Sequence, residues 1–139
     1  MDKNSRTYAR RYAMQALYAF DLNPETGLLE SDEPEAETAQ KPEGDYGRFA
    51  DALVACVKRH QEEIDSVLTK HLRKWSLAQM NVVDKTILRM GVCELLFPEE
   101  DIDAEVVINE AVDMAKIFGG DDSYRLVNGI LDAIHREQK

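Results

Sequence analysis

Three segments between Val82 and Ile134 decide the fold: VVDKTILRMGVCELLF (residues 82–97), AEVVINEAVDMAKIF (104–118) and SYRLVNGILDAI (123–134). In each, apolar residues return at three- and four-residue steps, the spacing that gathers them on one helix face and buries it. In the first, Val83, Ile87, Leu88, Gly91, Leu95 and Leu96 are expected to face inward, with Asp84, Lys85 and Arg89 on a polar, solvated side and Pro98 ending the run. Asp103 reads as the cap of the second helix, which buries Val107, Ile108, Ala111, Val112, Ala115 and Phe118. Gly119-Gly120 is expected to end it in a left-handed conformation. Asp121 or Asp122 then caps the third helix, whose Leu126, Val127, Ile130, Leu131 and Ile134 point to the core. The reading is three packed helices.

Toward the N-terminus, Ala9, Ala13, Ala16, Leu17 and Phe20 form one stripe of a helix capped at Ser5. Tyr46, Phe49, Leu53, Val57, His60 and Ile64, continuing to Leu72, mark one long helix. Trp75 reads as a core anchor, followed by an S-x-x-Q capping pattern at Ser76 and a helix start at Asn81. Residues 22–45 hold prolines and glycines among acids and hardly any apolar groups. Such a stretch cannot bury enough surface to offset its ordering entropy, so a flexible acidic connection is expected there. The chain is expected to be all-α, one domain over residues 1–139.

Composition narrows the function classes. No apolar run approaches the roughly 20 residues that span a bilayer. The charged N-terminus lacks a secretory apolar core, so a cytoplasmic protein is expected. Cys56 and Cys93 fall on apolar helix faces, where a thiol behaves as a small hydrophobe. The net charge of −10 argues against nucleic acid at first sight, but −7 of it sits in residues 22–45, while residues 1–21 carry +2 through Lys3, Arg6, Arg10 and Arg11 against Asp2 and Asp21. A local basic surface is therefore compatible with the composition. Arg6 and Arg10 share a helix face, Arg11 lies about 100° further round, and Tyr8, Tyr12 or Tyr18 are available to stack on bases; the plainer reading is a solvated helix end with tyrosines half-buried in the core. The turn G-G-D-D-S presents a helix N-terminus, where two aspartates discourage a phosphate on the amides themselves, while Ser123, Tyr124 and Arg125 stand one turn in.

No metal-ligand, phosphate-loop, dinucleotide or nucleophile-elbow motif occurs. His60 is expected to be a core or boundary residue. Every carboxylate has an ordinary capping or surface explanation, so no enzyme, metal or cofactor is expected. Pattern alone leads to an all-helical binding module with a small basic end.

Four motifs go further. R-R-Y-A-M-Q-A-L-Y (Arg10–Tyr18), V-D-K-T-I-L-R-M-G-V-C-E-L (Val83–Leu95), I-N-E-A-V-D-M-A-K-I-F-G (Ile108–Gly119) and L-V-N-G-I-L-D (Leu126–Asp132) resemble, in order, the transcription antitermination NusB family. The resemblance implies two small packed helical bundles, and a non-catalytic factor that pairs with the ribosomal protein NusE to bind the boxA element of ribosomal RNA leader transcripts within the RNA polymerase antitermination complex. Carried over, it implies RNA contacts at Arg6, Arg10, Arg11, Asp122, Ser123, Tyr124, Arg125 and Leu126, with Arg89 a weaker candidate, and an acidic NusE contact at Asp84. Thr7 and Tyr8 interrupt the basic run, and Leu126 stands where some relatives carry an aromatic, so weak RNA binding without NusE is expected. The family contains monomers and homodimers. Two alternatives stand beside this reading: a NusB-like domain associated with ribosomal RNA methylation, which requires a catalytic α/β domain that these residues do not contain, and a helical interaction module with no RNA role.

Overall fold

The computed structural model describes residues 2–22, 40–73 and 76–138. The expected connection at 22–45 lies largely outside them, as does Trp75. Among the described residues there are six α-helices and no strand: α1 Arg6–Leu22, α2 Gly44–Arg59, α3 Gln61–His71, α4 Val82–Leu96, α5 Ala104–Phe118 and α6 Ser123–Glu137, with a single 3₁₀ turn at Leu77–Gln79. The all-α expectation holds. The chain divides into two compact units, Met1–Ala55 and Cys56–Lys139, and α2 runs across the division.

The second unit is built around α4. Its backbone starts where Asn81 Oδ1 accepts the Val83 N–H at 2.8 Å, and stops before Pro98. Helices α3, α5 and α6 all pack against it. Ile87, Leu88, Met90, Val92 and Cys93 are fully buried, and Asp84, Thr86 and Arg89 are largely buried. The expected polar, solvated side is therefore corrected: Asp84 and Arg89 are enclosed by partners from α6 and α3, and of the three charged residues placed there only Lys85 keeps partial exposure. Gly91 marks the tightest approach, since a Cβ there would stand 2.7 Å from Leu131 Cδ1 of α6.

Helices α5 and α6 keep one-sided patterns. Asp103 Oδ1 caps α5 by accepting the Glu105 N–H at 2.9 Å, and Val107, Ile108, Ala111, Met114 and Ala115 are buried. On α6, Val127, Ile130, Leu131 and Ile134 are buried. Full burial of an aliphatic side chain of this size contributes about 1.5–3 kcal/mol. Gln138 Nε2 donates to the Leu95 carbonyl at 2.9 Å, tying the end of α6 to the end of α4.

The long helix expected from Tyr46 to Leu72 is broken at His60 into α2 and α3. Neither proline nor glycine lies between Arg48 and Leu72, so no helix-breaking residue marks the break. The break coincides with a tertiary contact: the His60 ring stacks on Phe97 with centroids 3.9 Å apart and planes 8° from parallel. The two thiols belong to this unit too; Cys56 and Cys93 are hydrogen-bonded to each other, and burial pushes both up from the ordinary thiol range.

In the first unit, Ser5 caps α1 as expected, its Oγ accepting the Tyr8 N–H at 3.1 Å. Tyr8, Ala9, Arg10, Ala13, Met14, Leu17 and Ala19 are buried, whereas Phe20 is exposed.

Candidate nucleic-acid interface

The basic end of α1 is less basic than its sequence. Arg6 is exposed and its guanidinium lies 5.7 Å from the centre of the Phe49 ring. Arg10, four residues on, lies 5.2 Å from the same ring and is only 1 % exposed. Arg10, Ala13 and Leu17 follow each other at steps of three and four, so Arg10 sits on the buried stripe. Its methylene stem packs there while the cation faces an aromatic π-system. Arg11 is half-buried. Tyr8 is removed from the stacking candidates, being wholly buried with its hydroxyl donating to the Gln40 carbonyl at 2.6 Å. Tyr12 and Tyr18 are half-buried.

In the second unit, the turn between α5 and α6 is shaped by Ser123. Its hydroxyl accepts the Gly120 N–H at 2.8 Å and donates to Asp84 Oδ2 at 2.9 Å. Both side chains are buried. Asp84 Oδ1 is buried as well and accepts no hydrogen bond from the described residues. Gly119 is needed here for space rather than for a left-handed backbone: its φ is −92° and ψ −174°, and a Cβ would stand 2.6 Å from Ser123 Cβ and 2.7 Å from the Ala115 carbonyl oxygen. Asp122 occupies the cap position of α6, but its side chain makes no capping bond; the inward-turned Ser123 hydroxyl takes up a turn N–H instead.

Of the residues expected at this turn, Asp122 and Arg125 are exposed, Tyr124 and Leu126 are half-buried, and Ser123 is interior. Arg125 Nε donates to the Tyr124 hydroxyl at 2.9 Å, and its guanidinium carbon lies 5.5 Å from the ring centre. Lys116, from the last turn of α5, brings its Nζ to 5.4 Å from the same centre. An aromatic ring flanked by two cations is the equipment for holding a base and its phosphates. Lys116 escaped the reading of the sequence because it is eight residues from Tyr124 and only the α5–α6 turn brings them together.

Arg89 is placed differently from expectation. It is buried, with Nε and Nη2 donating to the two carboxylate oxygens of Asp65 at 2.8 and 2.9 Å. This bidentate pair ties α4 to α3. Asp84, the expected acidic partner contact, is 8 % exposed and engaged with Ser123. Among the described residues no group of three or more metal-ligating side chains occurs, and no helix is long and apolar enough to cross a membrane.

Comparison with known proteins agrees with this architecture. The model of the NusB family matches residues 7–136. The transcription antitermination protein NusB of Bacillus mycoides is 41 % identical over 129 residues, covering 93 % of this chain and 95 % of that protein. The structure of Thermotoga maritima NusB superposes with a TM-score of 0.81 at 32 % identity, over 98 % of this chain and 94 % of that one. A second solved structure, of antitermination factors NusB and NusE in complex with double-stranded RNA, gives 0.77 at 31 % identity, over 95 % and 96 %. With the four motifs in order, six helices in the same arrangement and a match along nearly its whole length, this chain belongs to the NusB family.

Proposed function

We propose that this chain is a non-catalytic antitermination factor that acts in the cytoplasm, binding the boxA element of ribosomal RNA leader transcripts together with NusE inside the RNA polymerase antitermination complex. The observation that carries the RNA reading is the Tyr124–Arg125 pair at the start of α6, an aromatic ring with an exposed guanidinium hydrogen-bonded to it. A ring of this kind takes an unpaired base by stacking, and the cation takes phosphate. Arg6 at the start of α1 supplies a further exposed cation. The two sets belong to different units, and each is proposed as an RNA contact in its own right. Arg10 and Ser123, being interior, serve by shaping α1 and the α5–α6 turn.

NusE is proposed to dock at the start of α4, around Asp84. A chain of net charge −10 attracts a basic ribosomal protein, and the joint surface is then less negative than this chain alone. Similarity to a NusB solved with NusE and RNA supports the pairing.

The test is fluorescence anisotropy of labelled boxA RNA titrated with the protein, with and without NusE, at two salt concentrations. Salt-sensitive binding that NusE strengthens and a scrambled RNA does not share is expected. Absence of sequence-selective binding with NusE present would overturn the proposal in favour of a helical interaction module.

A further inference from the structure

Two exposed cations, Lys116 and Arg125, converge on the Tyr124 ring, and neither forms an ion pair among the described residues. They reach it from different helices. Arg125 is pinned by its bond to the Tyr124 hydroxyl, whereas Lys116 is held over the ring by the cation–π contact alone.

We propose that Lys116 and Tyr124 form an exchange site for one unpaired nucleotide of a single-stranded RNA, with Lys116 as a phosphate-binding residue that nothing in its local sequence marks. In the free protein the ammonium covers the ring. An incoming base takes its place, because stacking of a base on an aromatic side chain is the stronger of the two contacts at a solvent-exposed site. The displaced ammonium, on a flexible four-carbon stem, swings to the phosphate beside that base. Arg125 stays bonded to the Tyr124 hydroxyl and keeps the ring in place throughout. Double-stranded RNA does not fill this site, since its bases are already stacked. The chemistry of Lys116 as the last-turn cation of α5, complementing that helix's dipole, is compatible with this role and does not account for its position over Tyr124.

This inference rests on the RNA-binding reading above, and the experiment separates the two. The K116Q, K116R and Y124L variants and the K116Q/Y124L double variant are titrated against boxA RNA with NusE over a range of salt, with far-UV circular dichroism and melting temperature measured alongside. K116Q is expected to weaken binding by roughly fivefold and to make the log–log salt slope shallower by about 0.7, the loss of one single-strand phosphate contact. K116R keeps wild-type affinity. The double variant falls short of the product of the two single losses, because both belong to one site. Melting temperature is unchanged for K116Q. Wild-type affinity and slope in K116Q, or an equal loss in K116Q and K116R, would overturn the exchange site while leaving the RNA reading intact. If the wild-type protein with NusE binds no boxA RNA, both fall together.

Discussion

Ser123→Ala tests whether a buried latch, rather than surface chemistry, sets the shape of the α5–α6 turn. The Ser123 hydroxyl makes two bonds, accepting from Gly120 N–H at 2.8 Å and donating to Asp84 Oδ2 at 2.9 Å. A hydrogen bond to a charged group is worth about 1.5–3 kcal/mol, and a buried N–H left without an acceptor costs about 1–3 kcal/mol. Asp84 Oδ1 already lacks a partner among the described residues, so the variant leaves the whole carboxylate buried without a donor. A loss of about 3 kcal/mol follows, or roughly 10 °C in melting temperature for a chain of this size. Asp84→Ala is milder, because it removes the half-satisfied carboxylate itself. In that background Ser123→Ala forfeits only the Gly120 bond, about 1 kcal/mol. Urea titration of the two single variants and the double variant therefore yields a coupling energy of about 2 kcal/mol. RNA affinity measured with NusE falls in Ser123→Ala although the side chain is 7 % exposed, since the turn carrying Tyr124 and Arg125 loosens. A Ser123→Ala stability within about 0.5 kcal/mol of wild type, or a coupling below about 0.3 kcal/mol, would refute the latch.

Three further outcomes are expected. Arg6→Ala weakens RNA binding by roughly fivefold with an unchanged melting temperature, whereas Arg10→Ala, which empties a buried site beside Phe49, lowers stability by about 2 kcal/mol; thermal melts and anisotropy on the pair distinguish the contact from the core residue. Gly129→Ala adds helix propensity at a position with nothing within 4 Å and stabilises by about 0.4–1 kcal/mol, while Gly91→Ala drives a methyl group into Leu131 and destabilises, overpacking of about 1–3 kcal/mol outweighing the propensity gain; urea midpoints moving in the same direction would contradict this. Burial raises both thiols, so above the ordinary value of 9.0 the unfolded chain sheds protons that the fold retains, and stability falls as pH rises; Cys93, which is buried, should react with a thiol reagent at pH 8 only as fast as the protein unfolds, while half-buried Cys56 reacts sooner, and prompt labelling of Cys93 in the native protein would count against its burial.

The helices and their caps were legible because they depend on near neighbours in the chain. Ser5, Asn81 and Asp103 cap α1, α4 and α5 through bonds spanning two or three residues, and the three- and four-residue periodicity of α5 and α6 needs only a single helix to express it. Arg10 shares a stripe with Ala13 and Leu17, a signal of burial, yet it was expected on a basic helix end. Charge alone hid this, because an arginine looks like surface until an aromatic ring is known to face it.

What periodicity cannot express is the number of neighbours an element has. Asp84 and Arg89 look like a solvated side on an isolated α4, and became interior because α6 and α3 pack against them, bringing Ser123 to one and Asp65 to the other. The break at His60 coincides with a ring 37 positions away, and Lys116 reaches Tyr124 only across the α5–α6 turn. By itself the amino-acid sequence determined which segments are helical, where most of them start, and the family to which they belong. Only the tertiary structure decided which charged side chains face solvent and which hold the turn in shape, because burial of a charge depends on partners that lie far away along the chain.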